Sequence, residues 1–109
     1  MTAKPVIPRE AAQRDIDQAI AHYVAEAGEP VALAFIDALD RAFRRIAQHP
    51  TAGLPRYAFA LRLEGLRAWP LRRCPYLVFY VEREDHLDVW RVLHAQRDIP
   101  AWMQGPEGP

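Results

Sequence analysis

The stretch that decides the fold covers residues 61–98 and reads LRLEGLRAWPLRRCPYLVFYVEREDHLDVWRVLHAQRD. Residues 76–81 are an unbroken run of aromatic, β-branched and aliphatic side chains, which predicts a strand covered on one face and partly on the other. Residues 87–94 alternate, which predicts a second strand paired with the first as a hairpin. One face of this second strand is expected to carry Leu87, Val89, Arg91 and Leu93, and the other Asp88, Trp90, Val92 and His94.

Two shorter strands are predicted before this hairpin, at residues 61–63 and 68–73, separated by Glu64 and Gly65. Pro70 and Pro75 favour strand ends, bulges or sheet edges at their positions. Residues 6 and 7, which lie between prolines, add at most an edge strand. The expected product is a small, strongly twisted antiparallel sheet of about four strands.

The first half of the chain predicts two amphipathic helices. Apolar residues recur every three or four positions across residues 8–27, which indicates a helix of about five turns that ends at Gly28. A second helix, with a broader apolar stripe, is predicted for residues 30–48. Their short connection makes an antiparallel hairpin, and the sheet is the only surface that can cover its apolar face. The predicted fold class is therefore α+β, with an N-terminal two-helix hairpin packed on the sheet.

Length and composition favour one domain that needs no metal or disulfide, because half of the 109 residues are hydrophobic. Residues 1–103 are assigned to this domain, and residues 104–109, rich in glycine and proline, to a disordered tail. The single cysteine, Cys74, and the absence of a secretory or membrane-spanning run suggest the cytoplasm. One cysteine and four scattered histidines leave little for a metal site, and no nucleotide or flavin motif occurs, so no cofactor is expected.

Arginine is the most unusual feature of the composition. Thirteen of the fourteen basic residues are arginine, and five of them lie between residues 56 and 73 against one acid, while the formal net charge is zero. Such a cluster suggests a recognition surface for carboxylates or phosphates, or alternatively a solvated face paired with acids of the helices. The sheet aromatics are expected to be core rather than a base-stacking platform. They are Trp69, Tyr76, Phe79, Tyr80 and Trp90.

Three blocks of residues carry a resemblance to a known family. Residues 12–16 read AQRDI, residues 49–53 read HPTAG after the second helix, and residues 71–80 and 89–98 read LRRCPYLVFY and VWRVLHAQRD. In this order, over roughly residues 6–103, they resemble the RelE/ParE toxin superfamily of type II toxin–antitoxin systems. The last block is similar to the ParE-like branch. The resemblance implies two N-terminal helices on a twisted sheet, in agreement with the patterning.

The resemblance leaves two activities open. RelE-like toxins cleave messenger RNA in the ribosome, and this alternative would use Arg72, Arg73 and Arg91 on the phosphate and His94 as acid or base. ParE-like toxins poison DNA gyrase by binding. The single lysine, the zero net charge and the lack of a tyrosine after the last strand favour the ParE-like branch, where the histidine is structural. A non-toxic interaction module is a further alternative.

On the ParE-like interpretation the protein inhibits by binding rather than as an enzyme. The residues expected to contact target or antitoxin are Arg67, Arg72, Arg73, Arg91 and Arg97. Ion pairs with Asp15, Asp88 or Asp98 are the structural alternative for Arg91 and Arg97. The implied partners are a ParD-like antitoxin and DNA gyrase, with no membrane and no sequence-specific nucleic-acid binding. An antitoxin would fit as a helix in the groove along the helices or as a strand on the sheet edge.

Overall fold

The structure is a computed structural model, which describes residues 4–96 and residue 99. The described elements follow one another as β1 (Val6–Pro8), α1 (Glu10–Ala27), α2 (Glu29–Gln48), a 3-10 turn (Pro50–Ala52), α3 (Arg56–Leu61), β2 (Leu66–Pro70), β3 (Tyr76–Glu82) and β4 (Leu87–His94). This arrangement confirms the predicted α+β class.

The two long helices form the predicted hairpin. Gly28 joins them with a φ of 95°, a conformation that glycine adopts without a steric penalty, and its N–H caps α1 by donating to the carbonyl of Tyr23. Pro30 lies in the first turn of α2, where its missing N–H would have no partner. Both helices begin and end within two residues of their predicted bounds. In the described part of the chain, no helix is long and apolar enough to cross a membrane.

The sheet has the strand order β1-β4-β3-β2. Pairing is antiparallel from β2 through β4, but β1 runs parallel to β4, so the predicted antiparallel sheet is in fact mixed. β1 is separated from β4 by the helices and two strands rather than by a hairpin turn, so its connection does not require an antiparallel pairing. Two backbone bonds fix this edge: Leu87 donates to the Pro5 carbonyl and Arg9 donates to the Val89 carbonyl, each at 2.9 Å. The predicted edge strand at residues 6 and 7 is confirmed.

Both faces of the sheet are covered, by two separate hydrophobic clusters. The helix-side cluster joins α1 and α2 to one face, with Ile16, Phe35, Leu39, Ile46, Val78 and Tyr80 among its members. The far-side cluster lies on the other face and comprises Leu61, Leu66, Ala68, Phe79, Val81, Trp90, Leu93 and Ile99. The expectation that the aromatic residues belong to the core is confirmed, because Phe79, Tyr80 and Trp90 are buried and Trp69 and Tyr76 pack against the helix-side cluster.

Two of the predicted short strands are wrong. Residues 61–63 do not form a strand, because residues 56–61 form α3, and Arg62 ends this helix in a left-handed conformation with a φ of 55°. Leu61 instead closes the far-side cluster from the helix. The next strand spans Leu66–Pro70 rather than residues 68–73, because Pro70 ends it and the chain turns at Arg72 and Arg73.

The predicted alternation along β4 is wrong beyond Trp90. The register between β3 and β4 shifts between Phe79 and Tyr80, so that Trp90 has no partner on β3. An extra residue of this kind is a β-bulge, which reverses the faces of the residues that follow it. As a result Leu87, Val89 and Val92 pack in the helix-side cluster, and Trp90 and Leu93 pack in the far-side cluster.

Candidate binding site

Arg91 is tied to the first helix at the bulge in β4. Its Nε donates to Asp15 Oδ2 at 2.7 Å and its Nη2 donates to Oδ1 at 2.8 Å, while the backbone N–H of Val92 donates to Oδ2 at 3.0 Å. The side chains of Arg91 and Asp15 are only 12% and 7% exposed. The hydrogen bond to Asp15 raises the pKa of Arg91 against the opposing effect of burial. Arg91 therefore has the structural role that was the alternative to a contact role, and its ion pair with Asp15 holds α1 against the sheet.

Two further arginines converge on Asp88, on the far side of the sheet. Arg9 binds both carboxylate oxygens at 3.0 Å, Arg83 binds Oδ2 at 3.2 Å, and Trp90 donates its indole N–H at 2.9 Å. The guanidinium of Arg9 also lies 4.6 Å from the ring centroid of Trp90. Burial acts to raise the pKa of Asp88, but the hydrogen bonds from Arg9, Trp90 and Arg83 outweigh it and hold the pKa below the ordinary value. Asp88 thus anchors the start of α1 and the β3–β4 connection, and does not pair with Arg91.

Arg67 lies in β2 beside Tyr80 of β3, and both side chains hold the loop that follows α2. Arg67 Nη1 donates to the carbonyl of Gly53 at 2.9 Å. The hydroxyl of Tyr80 donates to the Pro50 carbonyl at 2.7 Å and accepts the Gly53 N–H at 3.1 Å. Burial raises the pKa of Tyr80 more than the Gly53 bond and the Arg67 charge lower it. Arg67 is half-buried, so at least part of its role is structural.

Arg72 and Arg73 have a different setting, in the turn between β2 and β3. Both are exposed, and neither has a hydrogen-bond or ion-pair partner among residues 4–96 and 99. The turn is held by backbone bonds, from Leu71 to the Tyr76 carbonyl at 2.9 Å and from Ala95 to the Pro75 carbonyl at 2.7 Å. Arg73 has a φ of 66°, which is strained for a residue with a Cβ. Of the four predicted contact residues that the structure describes, these two are exposed to solvent.

His94 lies at the same end of the sheet, opposite Tyr76 in the register of β3 and β4. The two rings meet edge to face with centroids 5.2 Å apart, and His94 Nδ1 accepts the N–H of Gln96 at 3.1 Å. Tyr76 continues into an aromatic group with Tyr23 and Phe35. Of the alternative catalytic set, the fold brings Arg72, Arg73 and His94 to one end of the sheet, whereas the guanidinium of Arg91 is engaged by Asp15. The remaining predicted contact, Arg97, lies outside the described residues.

Sequence reasoning placed an antitoxin groove along the helices but did not identify which of their apolar side chains are exposed. Val24 of α1 and Val31, Leu33 and Ile36 of α2 are between 40% and 56% exposed. Leu33 and Ile36 each follow a buried residue of α2, so the apolar stripe is wider than the core requires. Their three-residue spacing was the signal available in the sequence. We call these four residues the helix surface.

A feature without a counterpart in the sequence predictions is a cleft between α3 and the start of β2, with a volume of about 520 Å³. Its walls include Pro55, Ala58, Phe59, Arg62, Leu66 and Arg67. Within the described ranges, no three His, Cys, Asp or Glu side chains are placed to hold a metal ion. Cys74 is half-buried, and burial raises the pKa of its thiol.

A two-helix hairpin on a four-stranded sheet, with arginines bound into the frame and apolar side chains on its surface, defines a small α+β domain. A solved structure titled "Chromosomal ParDE TA system from P. aeruginosa" is similar, with a TM-score of 0.72 and 20% sequence identity, and the match covers 86% of this chain and 98% of that chain. This likeness supports the fold. No curated protein matches the chain.

The family follows from the sequence match. A family model described as "ParE toxin of type II toxin-antitoxin system, parDE" matches residues 6–99. The chain therefore belongs to the ParE toxin family of type II toxin–antitoxin systems, and the predicted resemblance is confirmed.

Proposed function

We propose that the protein arrests growth by binding and poisoning DNA gyrase, and that a ParD-like antitoxin neutralises it. The observation that supports binding over RNA cleavage is the buried pair of Arg91 and Asp15. A guanidinium that stabilises a transition-state phosphate must be offered to that phosphate, but Arg91 donates through both Nε and Nη2 to the carboxylate of Asp15. His94 is likewise engaged by a backbone N–H and the Tyr76 ring.

The charge distribution supports the same conclusion. A ribosome binder relies on a basic surface to neutralise phosphates and to speed its association with RNA. Here the net charge is zero, and the side chains of Arg9, Arg83 and Arg91 are paired with aspartates of the same domain. Arg72 and Arg73 remain as exposed donors for carboxylates of a protein partner, and we assign them to the contact with target or antitoxin.

The helix surface suits an antitoxin helix. Leu33 and Ile36 lie one turn apart on α2 and are 56% and 40% exposed, so an amphipathic helix that packs there would remove the apolar surface of both from solvent. The sheet edges offer less. Ala68 of β2 already exchanges two backbone bonds with Leu54, at 2.8 and 2.9 Å, and β1 spans only Val6–Pro8. We therefore assign the helix mode of binding rather than strand addition.

The test is inducible expression of the chain in bacteria, with and without the adjacent candidate antitoxin gene. We expect growth arrest with DNA cleavage while translation continues, relief by the neighbour, and gyrase-dependent DNA cleavage with the purified chain. Replacing Arg72 and Arg73 by alanine should weaken the arrest, whereas replacing the exposed Arg41 and Arg44 of α2 should not. Prompt loss of translation with cut messenger RNA would instead establish the RelE-like activity, and no arrest would leave a non-toxic interaction module.

The domain boundary and location belong to the same proposal. Residues 1–103 would act as a single toxin domain in the cytoplasm, where gyrase is found, and residues 104–109 would be dispensable. Expression of a chain that ends at residue 103 checks this boundary, because it should arrest growth as strongly as the full chain.

A further inference from the structure

The cleft between α3 and β2 has the size and lining of a binding site. Its volume of about 520 Å³ lies within the range of pockets that bury a small ligand or a large side chain. Pro55, Ala58 and Phe59 give it apolar walls, and Arg62 and Arg67 lie beside them. No residue predicted from the sequence drew attention to it, apart from Arg67.

Phe59 is the most exposed large apolar side chain in the described part of the chain, with 82% of its surface in water. It is nevertheless held on a firm support. Tyr57 packs edge to face on Phe79 at 5.2 Å, Leu61 is buried in the far-side cluster, and Leu63 donates to the Ala58 carbonyl at 3.0 Å. A phenylalanine presented in this way has the character of a binding hot spot, because a partner gains its burial without having to order the helix first.

The charge around the cleft is positive. Arg62 and Arg67 line it against the single acid Glu64, and Arg56 begins the same helix. The side chain of Arg62 has no hydrogen-bond or ion-pair partner among residues 4–96 and 99, and the guanidinium of Arg67 has one hydrogen bond, to Gly53. Both therefore have N–H donors to offer to a carboxylate.

We propose that this cleft binds a segment of the toxin's target protein that carries one large aromatic or aliphatic side chain beside an aspartate or glutamate. The apolar side chain packs on Ala58 and Phe59, and the carboxylate binds Arg62 and Arg67. The target is favoured over the antitoxin because α3 packs on the far-side cluster, on the opposite face of the sheet from the helix surface. This assignment rests on the proposed function, since it presumes a protein target.

The direct test uses the full ¹⁵N-labelled chain and three blocked tetrapeptides, acetyl-Gly-Trp-Asp-Gly-amide, acetyl-Gly-Trp-Lys-Gly-amide and acetyl-Gly-Ala-Asp-Gly-amide. We expect the first peptide to bind with millimolar affinity, to shift the amide resonances of Ala58, Phe59 and Gly65, and to bind at least tenfold more tightly than the other two. Phe59→Ala should weaken binding at least tenfold, and Arg62→Gln should reduce the preference for aspartate over lysine several-fold. Leu33→Ala, on the helix surface, should change neither value.

A cellular test assigns the partner. Phe59→Ala should reduce gyrase-dependent DNA cleavage and growth arrest at least tenfold while the chain still binds the antitoxin with unchanged affinity. Because Phe59 is exposed, the circular dichroism spectrum of the Phe59→Ala variant should match that of the parent chain. Loss of antitoxin binding in this variant would move the cleft to the antitoxin, and loss of self-association would assign it to a second copy of the chain; either result overturns the proposal.

The failure of this proposal is distinct from failure of the proposed function. If the parent chain does not arrest growth, the function is wrong and the cleft is judged on the peptide measurements alone. If the parent chain arrests growth but the tetrapeptides leave the cleft resonances unchanged and Phe59→Ala is fully toxic, the cleft is not the target site.

Discussion

Replacing Arg91 by methionine should cost about 3–5 kcal/mol of unfolding free energy, because it leaves the carboxylate of Asp15 buried without its partner. The structure places this pair among the large effects. Both side chains are nearly buried, and two hydrogen bonds at 2.7 and 2.8 Å join them between α1 and β4. For a domain of this size, such a loss corresponds to a decrease in melting temperature of about 12–20 °C.

Urea denaturation followed by circular dichroism measures the change, with Arg44→Met as the matched control. Arg44 also pairs with an aspartate, Asp40 at 2.6 Å, but both side chains are more than half exposed. Its replacement should therefore cost no more than about 0.5 kcal/mol. If the Arg91 variant is too unstable to purify, Arg91→Lys gives a smaller loss of the same sign, since lysine keeps the charge but not the planar fork.

The double variant Asp15→Asn with Arg91→Met tests the cause of the loss. Asparagine removes the charge and keeps an oxygen that accepts the N–H of Val92, which donates to Asp15 at 3.0 Å. The double variant should therefore be more stable than Arg91→Met alone, although it has one more substitution. An Arg91→Met variant as stable as the Arg44 control, or a double variant less stable than the single one, would refute the structural role of this pair.

Four further outcomes are expected. Tyr80→Phe should lower the unfolding free energy by about 1–3 kcal/mol, because two hydrogen bonds of the hydroxyl are lost. Gly53→Ala should also destabilise the fold, since a Cβ there would lie 2.4 Å from the Tyr80 hydroxyl oxygen. Urea titrations measure both changes, and unchanged unfolding midpoints would contradict them. Arg73→Gly should raise stability by about 1 kcal/mol by relieving the strain of a φ of 66°, which thermal unfolding checks. Because the pKa of Asp88 is lowered on folding, its carboxylate stabilises the folded state fully at pH values above the ordinary pKa of 3.8. This stabilisation is lost as the pH falls through the lowered pKa. Arg9→Gln should therefore reduce the decrease in unfolding free energy at acid pH.

Periodicity predicted the parts of the fold that repeat over many residues. The 18 residues of α1 and the 20 of α2 contain enough turns for an apolar stripe to stand out, and Gly28 and Pro30 mark the boundary between them. β3 and β4 were found because hydrophobic side chains dominate both. Each of these elements is long enough that an error of about two or three residues at either end leaves most of it correctly predicted.

The short and irregular parts could not be predicted from local pattern. The six residues of α3 make less than two turns, and the pair of Tyr57 and Leu61, four residues apart, is the only helical signal they hold. The bulge at Trp90 leaves no mark in the sequence, because it depends on how β3 and β4 pair. The cleft was hidden as well, because its walls are built by α3, which was missed, and by the start of β2, which was predicted two residues too late.

The arginines show why a high number of arginines in one stretch of sequence is a poor guide to a binding surface. The partners of Arg9 and Arg91 are 79 and 76 residues away in the sequence, so their ion pairs appear only when the sheet and the helices come together. Pairs four residues apart, such as those of Arg41 and Arg44, could be read directly, and they are the weak ones. Distance along the chain thus conceals the strongest constraints on a charged residue.

Apart from the arginines with structural partners, the exposed apolar side chains of the domain lie on two opposite sides of the sheet. Val24, Val31, Leu33 and Ile36 lie on the helix hairpin, and Phe59 lies on α3 against the far-side cluster. Ligands on these two surfaces need not compete, because the sheet lies between them. A neutralising partner on the helices would then have to act by some means other than covering the cleft, such as extending around the edge of the domain or blocking the target sterically.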